Sequence, residues 1–104
     1  MFLVYPAPQA VVNGSSISLD CLVRGEPTPA IRWLKDFVPL NITSDSRIEI
    51  SDDGTLFISD AGLDDTGFYT CVADNGLGIN QVSVNVEVFP LIIHNKTGLS
   101  VYKS

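Results

Sequence analysis

"DDTGFYTCVADNGLG", residues 64–78, sets Asp65, Gly67, Tyr69 and Cys71 at every second position. A period of two belongs to a strand, where alternate side chains share one face. A plain core strand would carry Val or Ile at those places. Here an acid, a phenol and a thiol stand together. Three readings follow: a catalytic cluster, a metal site, or the framework of a binding module.

The thiol narrows the choice. Cys71 has one possible partner in the chain, Cys21, fifty positions earlier, and His94 is the sole histidine. Two thiols and one distant imidazole do not make a usual four-ligand zinc site. A disulfide is the better reading; on the chain-entropy model it stabilises a loop of this length by roughly 4 kcal/mol, less any strain. Disulfides persist outside the cytosol. Three Asn-X-Ser/Thr triplets fit the same compartment: Asn13-Gly14-Ser15, Asn41-Ile42-Thr43 and Asn95-Lys96-Thr97. Asn13, Asn41 and Asn95 are therefore candidate glycosylation sites, each beside an expected turn or tail.

Composition removes other classes. The 104 residues fit one domain with a modest core, and 45% are apolar, which argues against disorder. A net charge of −6 is unsuited to nucleic acid, whose phosphates need clustered Lys and Arg. The acids are scattered over turns (Asp52, Asp53, Asp60, Asp64, Asp65, Asp74), the pattern of solvated loops rather than of a metal site. No apolar run reaches the ~18 residues of a membrane span, and no signal peptide precedes the domain. The chain reads as a piece of a longer protein, with Met1 an addition for expression. His94 lies in a tail and the bridge consumes both cysteines, so no Ser-His or Cys-His pair is expected. The expectation is a protein that is not an enzyme and that uses no metal or cofactor.

Short strand-like runs recur between breakers. Ile17, Leu19, Cys21 and Val23 alternate with Ser18, Asp20 and Leu22, and "GEPTP" then interrupts the chain. Ile31 and Trp33 form the next inward pair, followed by Ile48 and Ile50, then Leu56 and Ile58 after the Asp53-Gly54 turn. Tyr69, Cys71 and Ala73 precede Asn75-Gly76, and Val82, Val84, Val86 and Val88 close the series. No stretch sustains a helical period; "DAGLDD" is at most a short helical turn. Seven or more short strands with turns between them predict an all-β two-sheet sandwich.

These residues carry a resemblance. Cys21, Trp33 within "GEPTPAIRWLK", "DDTGFYTC" ending in Cys71, and "ADNGLG" together resemble an immunoglobulin domain of the intermediate, I-set type, over about residues 4–89. The resemblance is to I-set domains of neural adhesion molecules, receptor tyrosine kinase ectodomains, and matrix proteins of the hemicentin and peroxidasin kind. It implies an immunoglobulin-like Greek-key sandwich in which Cys21 on strand B and Cys71 on strand F bridge the sheets and Trp33 packs on the bridge. It also implies that Tyr69 is a tyrosine-corner residue and that Asp65 pairs with Arg47. Little room remains for a second edge strand in "VPLNITSDS", which favours the I-set over a full variable domain.

The opening stretch is thus framework, and binding must lie elsewhere. If Trp33, Tyr69, Cys71 and Ala73 face inward, Arg32, Leu34, Phe68, Thr70 and Val72 face outward together on adjacent strands. They form the candidate interface. Residues 1–89 are expected to be the I-set domain and 90–104 a linker or the start of a following domain. The expected function is a protein-protein recognition or adhesion module of a multidomain extracellular protein, on a cell surface or in secreted matrix, without membrane insertion of its own. Its partners would be proteins, homophilic or heterophilic, and neighbouring immunoglobulin-like domains. The rivals are a ligand-binding domain of a signalling receptor and a spacer of a giant muscle protein.

Overall fold

Short β-branched runs separated by Gly, Pro, Asn and Asp become strands joined by tight turns. The computed structural model describes residues 2–94 and 100–103, and the side chains of residues 4–91. In chain order the elements are β1 (Phe2–Val4), β2 (Gln9–Val12), β3 (Ile17–Leu19), β4 (Leu22–Val23), β5 (Ala30–Lys35) and β6 (Val38–Pro39). There follow β7 (Ile48–Ile50), β8 (Leu56–Ile58), one 3-10 turn (Leu63–Asp65), β9 (Gly67–Asp74), β10 (Ile79–Phe89), β11 (Leu91–His94) and β12 (Ser100–Lys103).

One sheet has the order β2-β10-β9-β5-β6 and the other β3-β8-β7, with β1 antiparallel to β4. The architecture is the all-β, immunoglobulin-like two-sheet sandwich. Among the described residues the pairings are antiparallel except that of β2 with β10, where Gln9 to Val12 run beside Val86 to Phe89. Beyond Pro90, β11 and β12 pair antiparallel with Leu91 opposite Lys103. Asn95 and the loop around it lie outside the described residues.

The period-two pattern decides what the sandwich encloses. Ile17, Leu19, Leu56 and Ile58 come from one sheet, and Trp33, Tyr69, Val84, Val86 and Val88 from the other; all are buried. Each large aliphatic side chain removed from water contributes about 1.5–3 kcal/mol before entropy is counted. Cys21 and Cys71 are joined by a disulfide across the layers, and Trp33 stands directly opposite Cys71 in the β5–β9 register.

Trp33 also has a polar end to satisfy inside the core. Its Nε1 donates to the Gly54 carbonyl at 2.8 Å. Gly54 belongs to the β7–β8 turn, which is closed by Gly54 N–H to Ser51 O at 3.0 Å and Ser51 N–H to Thr55 O at 2.9 Å. Two things require glycine there. Its φ is +95°, and a Cβ would come within 2.7 Å of the Cys21 carbonyl oxygen. Gly76 in the β9–β10 turn has a similar φ of +83°, but open space where its Cβ would lie.

That contrast separates backbone strain from packing. Gly76→Ala should cost only the left-handed backbone term, about 1 kcal/mol. Gly54→Ala should cost clearly more, since it also pushes the turn from Cys21 and from the Trp33 bond. Urea denaturation of both variants measures the difference, and equal losses would show that the turn has room to shift.

Candidate recognition surface

The end of the sandwich before β9 is built around one guanidinium. Arg47 Nη1 and Nη2 donate to Asp65 Oδ2 and Oδ1 at 2.9 and 3.3 Å. Nη2 and Nε also reach Asp45 Oδ2 and Oδ1 at 2.9 and 3.2 Å, and Nη1 reaches the Asp60 carbonyl at 3.0 Å. Every N–H of the planar fork has an acceptor, which fixes its orientation as Lys could not. Asp65 Oδ2 further accepts the Gly62 N–H at 2.8 Å, capping the 3-10 turn. The buried Tyr69 hydroxyl donates to the Asp65 carbonyl at 2.6 Å. Asp45, absent from the sequence reading, is a second acid two residues from Arg47 in a turn. Its own Oδ1 also takes the Arg47 backbone N–H, the usual behaviour of Asp before a strand.

The titrations follow from this geometry. Burial pushes the Asp65 carboxyl up, but the Arg47 bond, the Gly62 N–H and the Arg47 charge together hold it below the ordinary value. Asp45 is held low by the Arg47 side chain and then by its backbone N–H. Burial raises the Tyr69 phenol, with the Asp65 and Asp36 charges adding to it.

A tight hairpin builds the adjoining corner. Lys35 pairs with Val38, so Asp36 and Phe37 alone make the β5–β6 loop, with φ of +49° and +67°. Such a two-residue turn with both φ positive ordinarily uses Asn-Gly or Asp-Gly. Phe37 occupies the glycine place and is 69% exposed. Asp36 holds the corner against β9: its N–H donates to Phe68 O at 2.7 Å and its Oδ1 accepts Phe68 N–H at 2.9 Å. The carboxylate fits because residue 67 is glycine; a Cβ there would lie 2.8 Å from both Asp36 oxygens. Phe68 itself is 51% exposed, so two aromatic side chains meet solvent at one corner.

The expected five-residue interface changes in consequence. Arg32 and Phe68 are exposed and Leu34 is half-buried on the outer face of this sheet. Thr70 and Val72, expected to face outward with them, are 1% and 2% exposed and are not available as contacts. Alternation gives the direction of a side chain, not the height of its neighbours. In the central strand β9, Thr70 lies between Leu34 and Ser83 and Val72 between Arg32 and Gln81, so each is flanked by side chains of both neighbouring strands. Thr70 Oγ1 and Ser83 Oγ also share a hydrogen bond of 2.7 Å. Phe37 was not in the sequence reading, because "KDFV" lacks the glycine that marks such turns. Of the candidate glycosylation sites, Asn41 is exposed and Asn13 half-buried, while Asn95 lies outside the described residues.

Three comparisons with known proteins agree on the fold. The family model described as "Immunoglobulin I-set domain" matches residues 1–88. Human neogenin is 35% identical over 106 aligned residues, which take in all of this chain but 7% of neogenin. The structure of Drosophila OTK extracellular domains 3–5 superposes with a TM-score of 0.80 and 28% identity over 85% of this chain and 30% of that one. The titin M3 domain gives a TM-score of 0.79 and 31% identity over 86% of this chain and 95% of its own.

The Arg47 cluster yields a pH prediction. Since the folded Asp65 carboxyl is depressed, its stabilisation is complete above the unfolded-state value of ~3.9 and is lost as pH falls through the folded value. Asp65→Asn should therefore lower stability at neutral pH by about 2 kcal/mol and flatten the acid limb. Melting temperatures from pH 7 down to 2 check this; an unchanged acid limb would mean that Asp65 titrates alike in both states.

Proposed function

We propose, because this chain belongs to the immunoglobulin I-set family, that it serves as a non-catalytic protein-recognition module within a larger extracellular or cell-surface protein. The observation that carries the reading is the Phe37–Phe68 corner. Exposed aromatic residues on a fixed backbone are the usual anchors of protein interfaces, and central ones contribute roughly 2 kcal/mol or more each. A left-handed Phe costs stability that the fold could recover by accepting Asn or Gly. At 69% exposure the ring buries little of itself against the domain. A partner that buries it accounts for both its place and its exposure, with Arg32 and Leu34 extending the contact across the sheet.

The extracellular assignment rests on the Cys21–Cys71 bridge, the sequons, and likeness to a structure described as extracellular domains. Residues 90–104 would lead into a following module, in keeping with a chain that spans 7% of neogenin's length. The likeness to titin M3 favours a spacer role in muscle, which the paired cysteines and sequons oppose. A ligand-binding role within a signalling receptor would use the same corner.

Stability and recognition should part company here. Phe37→Asn, better suited to the turn, should raise stability by about 1 kcal/mol while weakening self-association or partner capture. Phe68→Ser should weaken association with little change in melting temperature. Light scattering and a cell-aggregation assay with the complete ectodomain read association, and calorimetry reads stability. Undiminished association in both variants would remove the corner from the interface.

A further inference from the structure

Asn41 and Asn13 head the two sequons whose Asn side chains are described, and the fold treats them differently. Asn41 lies in the connection between β6 and β7, each the last strand of its sheet, so it sits along the open side of the sandwich. Its Oδ1 accepts the Thr43 hydroxyl at 2.7 Å and the Thr43 N–H at 3.2 Å. Both bonds span only two residues. They can form in a chain that has not yet folded, and they leave Nδ2 pointing free of the ring they close. The side chain remains exposed in the finished domain.

The sequon at Asn13 is committed elsewhere. The Ser15 N–H, counterpart of the Thr43 amide, donates to Val12 O at 3.0 Å, and no bond links Ser15 to the Asn13 side chain among the described residues. The turn is tied into the sandwich by Asn13 N–H to Phe89 O and Gly14 N–H to Ala61 O, both 2.7 Å. Asn13 is half-buried and lines the same hollow as Arg47 and Asp65. A bulky substituent there would press on the framework ion pair.

We infer that Asn41 is an acceptor for an N-linked oligosaccharide, used in clear preference to Asn13. Transfer forms a bond from Asn41 Nδ2 to the anomeric carbon of a lipid diphosphate-linked oligosaccharide and breaks that carbon's bond to the diphosphate oxygen. The Nδ2 proton and the lipid diphosphate leave. The Thr43 hydroxyl and amide, by holding Oδ1, fix the side-chain rotamer and leave Nδ2 directed outward. The glycan would cover the unpaired edge of β6, where Val38 is 64% exposed, an edge that otherwise invites pairing with another chain. The Phe37–Phe68 corner, at the hairpin tip and on the broad face, need not be masked.

This inference rests on the extracellular reading, and the test keeps the two apart. The full chain is secreted from an animal cell line behind a heterologous signal peptide, and peptide mass spectrometry after enzymatic deglycosylation reads occupancy as Asn converted to Asp. Most molecules should be occupied at Asn41 and far fewer at Asn13. Asn41→Gln should remove the glycan from this position, and Thr43→Val, which keeps the shape and loses the hydroxyl, should do the same at unchanged melting temperature. An unmodified Asn41, or equal occupancy at both sites, overturns the acceptor assignment. Protein isolated from its own cells tests the compartment separately: free thiols and no glycan there would overturn the extracellular reading while leaving the recombinant result standing.

Discussion

The covalent link between Cys21 and Cys71 holds the two layers at a fixed separation, and the other core contacts are arranged around it. A two-sheet core of this size offers only one layer of side chains from each face, so its cohesion from burial alone is modest. The bridge ties residues fifty positions apart and removes much of the freedom of the unfolded chain. Trp33, opposite Cys71, covers it from β5 and spends its single N–H on Gly54. Gly54 in turn rests against the Cys21 carbonyl. Four separate segments thus converge on one bond: two are held by covalency, β5 by register and by its hydrogen bond, and the β7–β8 turn by the want of a side chain.

Arg47 serves a corresponding purpose at the other end, by polar means. Its fork binds the turn before β7, the carbonyl after β8 and the carboxylate ahead of β9. A partly buried pair of this kind adds less to stability than its bond count suggests, because both charges lose water. Its value lies in geometry. With Asp65 placed, its carbonyl receives the Tyr69 hydroxyl and β9 starts in a single register. Asp36 then finds Phe68, and the β5–β6 hairpin is held at the sheet despite its two left-handed residues.

Much of this was legible before any coordinates. Strict alternation marked Ile17, Leu19, Leu56, Ile58 and the valines of β10 as core, since a half-buried strand leaves no other choice of face. Two other features were not legible, for physical reasons. Burial of Thr70 and Val72 depends on which residues stand beside them in β5 and β10, and register across strands is not written in either strand alone. The exposed Phe37 sits in a turn that sequence rules assign to glycine; only tertiary contacts, here through Asp36, hold a bulky residue at positive φ. The Arg47 cluster was half visible. Asp65 stood out by its spacing, whereas nothing in the pattern around Asp45 set it apart, since its bond to Arg47 depends on how the turn before β7 folds.

The parallel pairing of β2 with β10 determines how this domain would carry a mechanical load. The chain enters beside β4 and leaves after Phe89, so entry and exit lie at opposite ends of the sandwich. Tension applied through the two ends pulls β2 and β10 past each other along their length. The bonds between Gln9–Val12 and Val86–Phe89 are then strained together rather than opened one after another. A ladder loaded in shear yields at higher force than one peeled from an end. Should it give way, the residues between Cys21 and Cys71 still cannot extend, because the tension passes through the sulfur bridge and bypasses the loop it closes. Only the segments outside the cysteines would lengthen. The core strands β5, β7 and β8 would stay within the closed loop, positioned to re-form the sandwich when the tension falls.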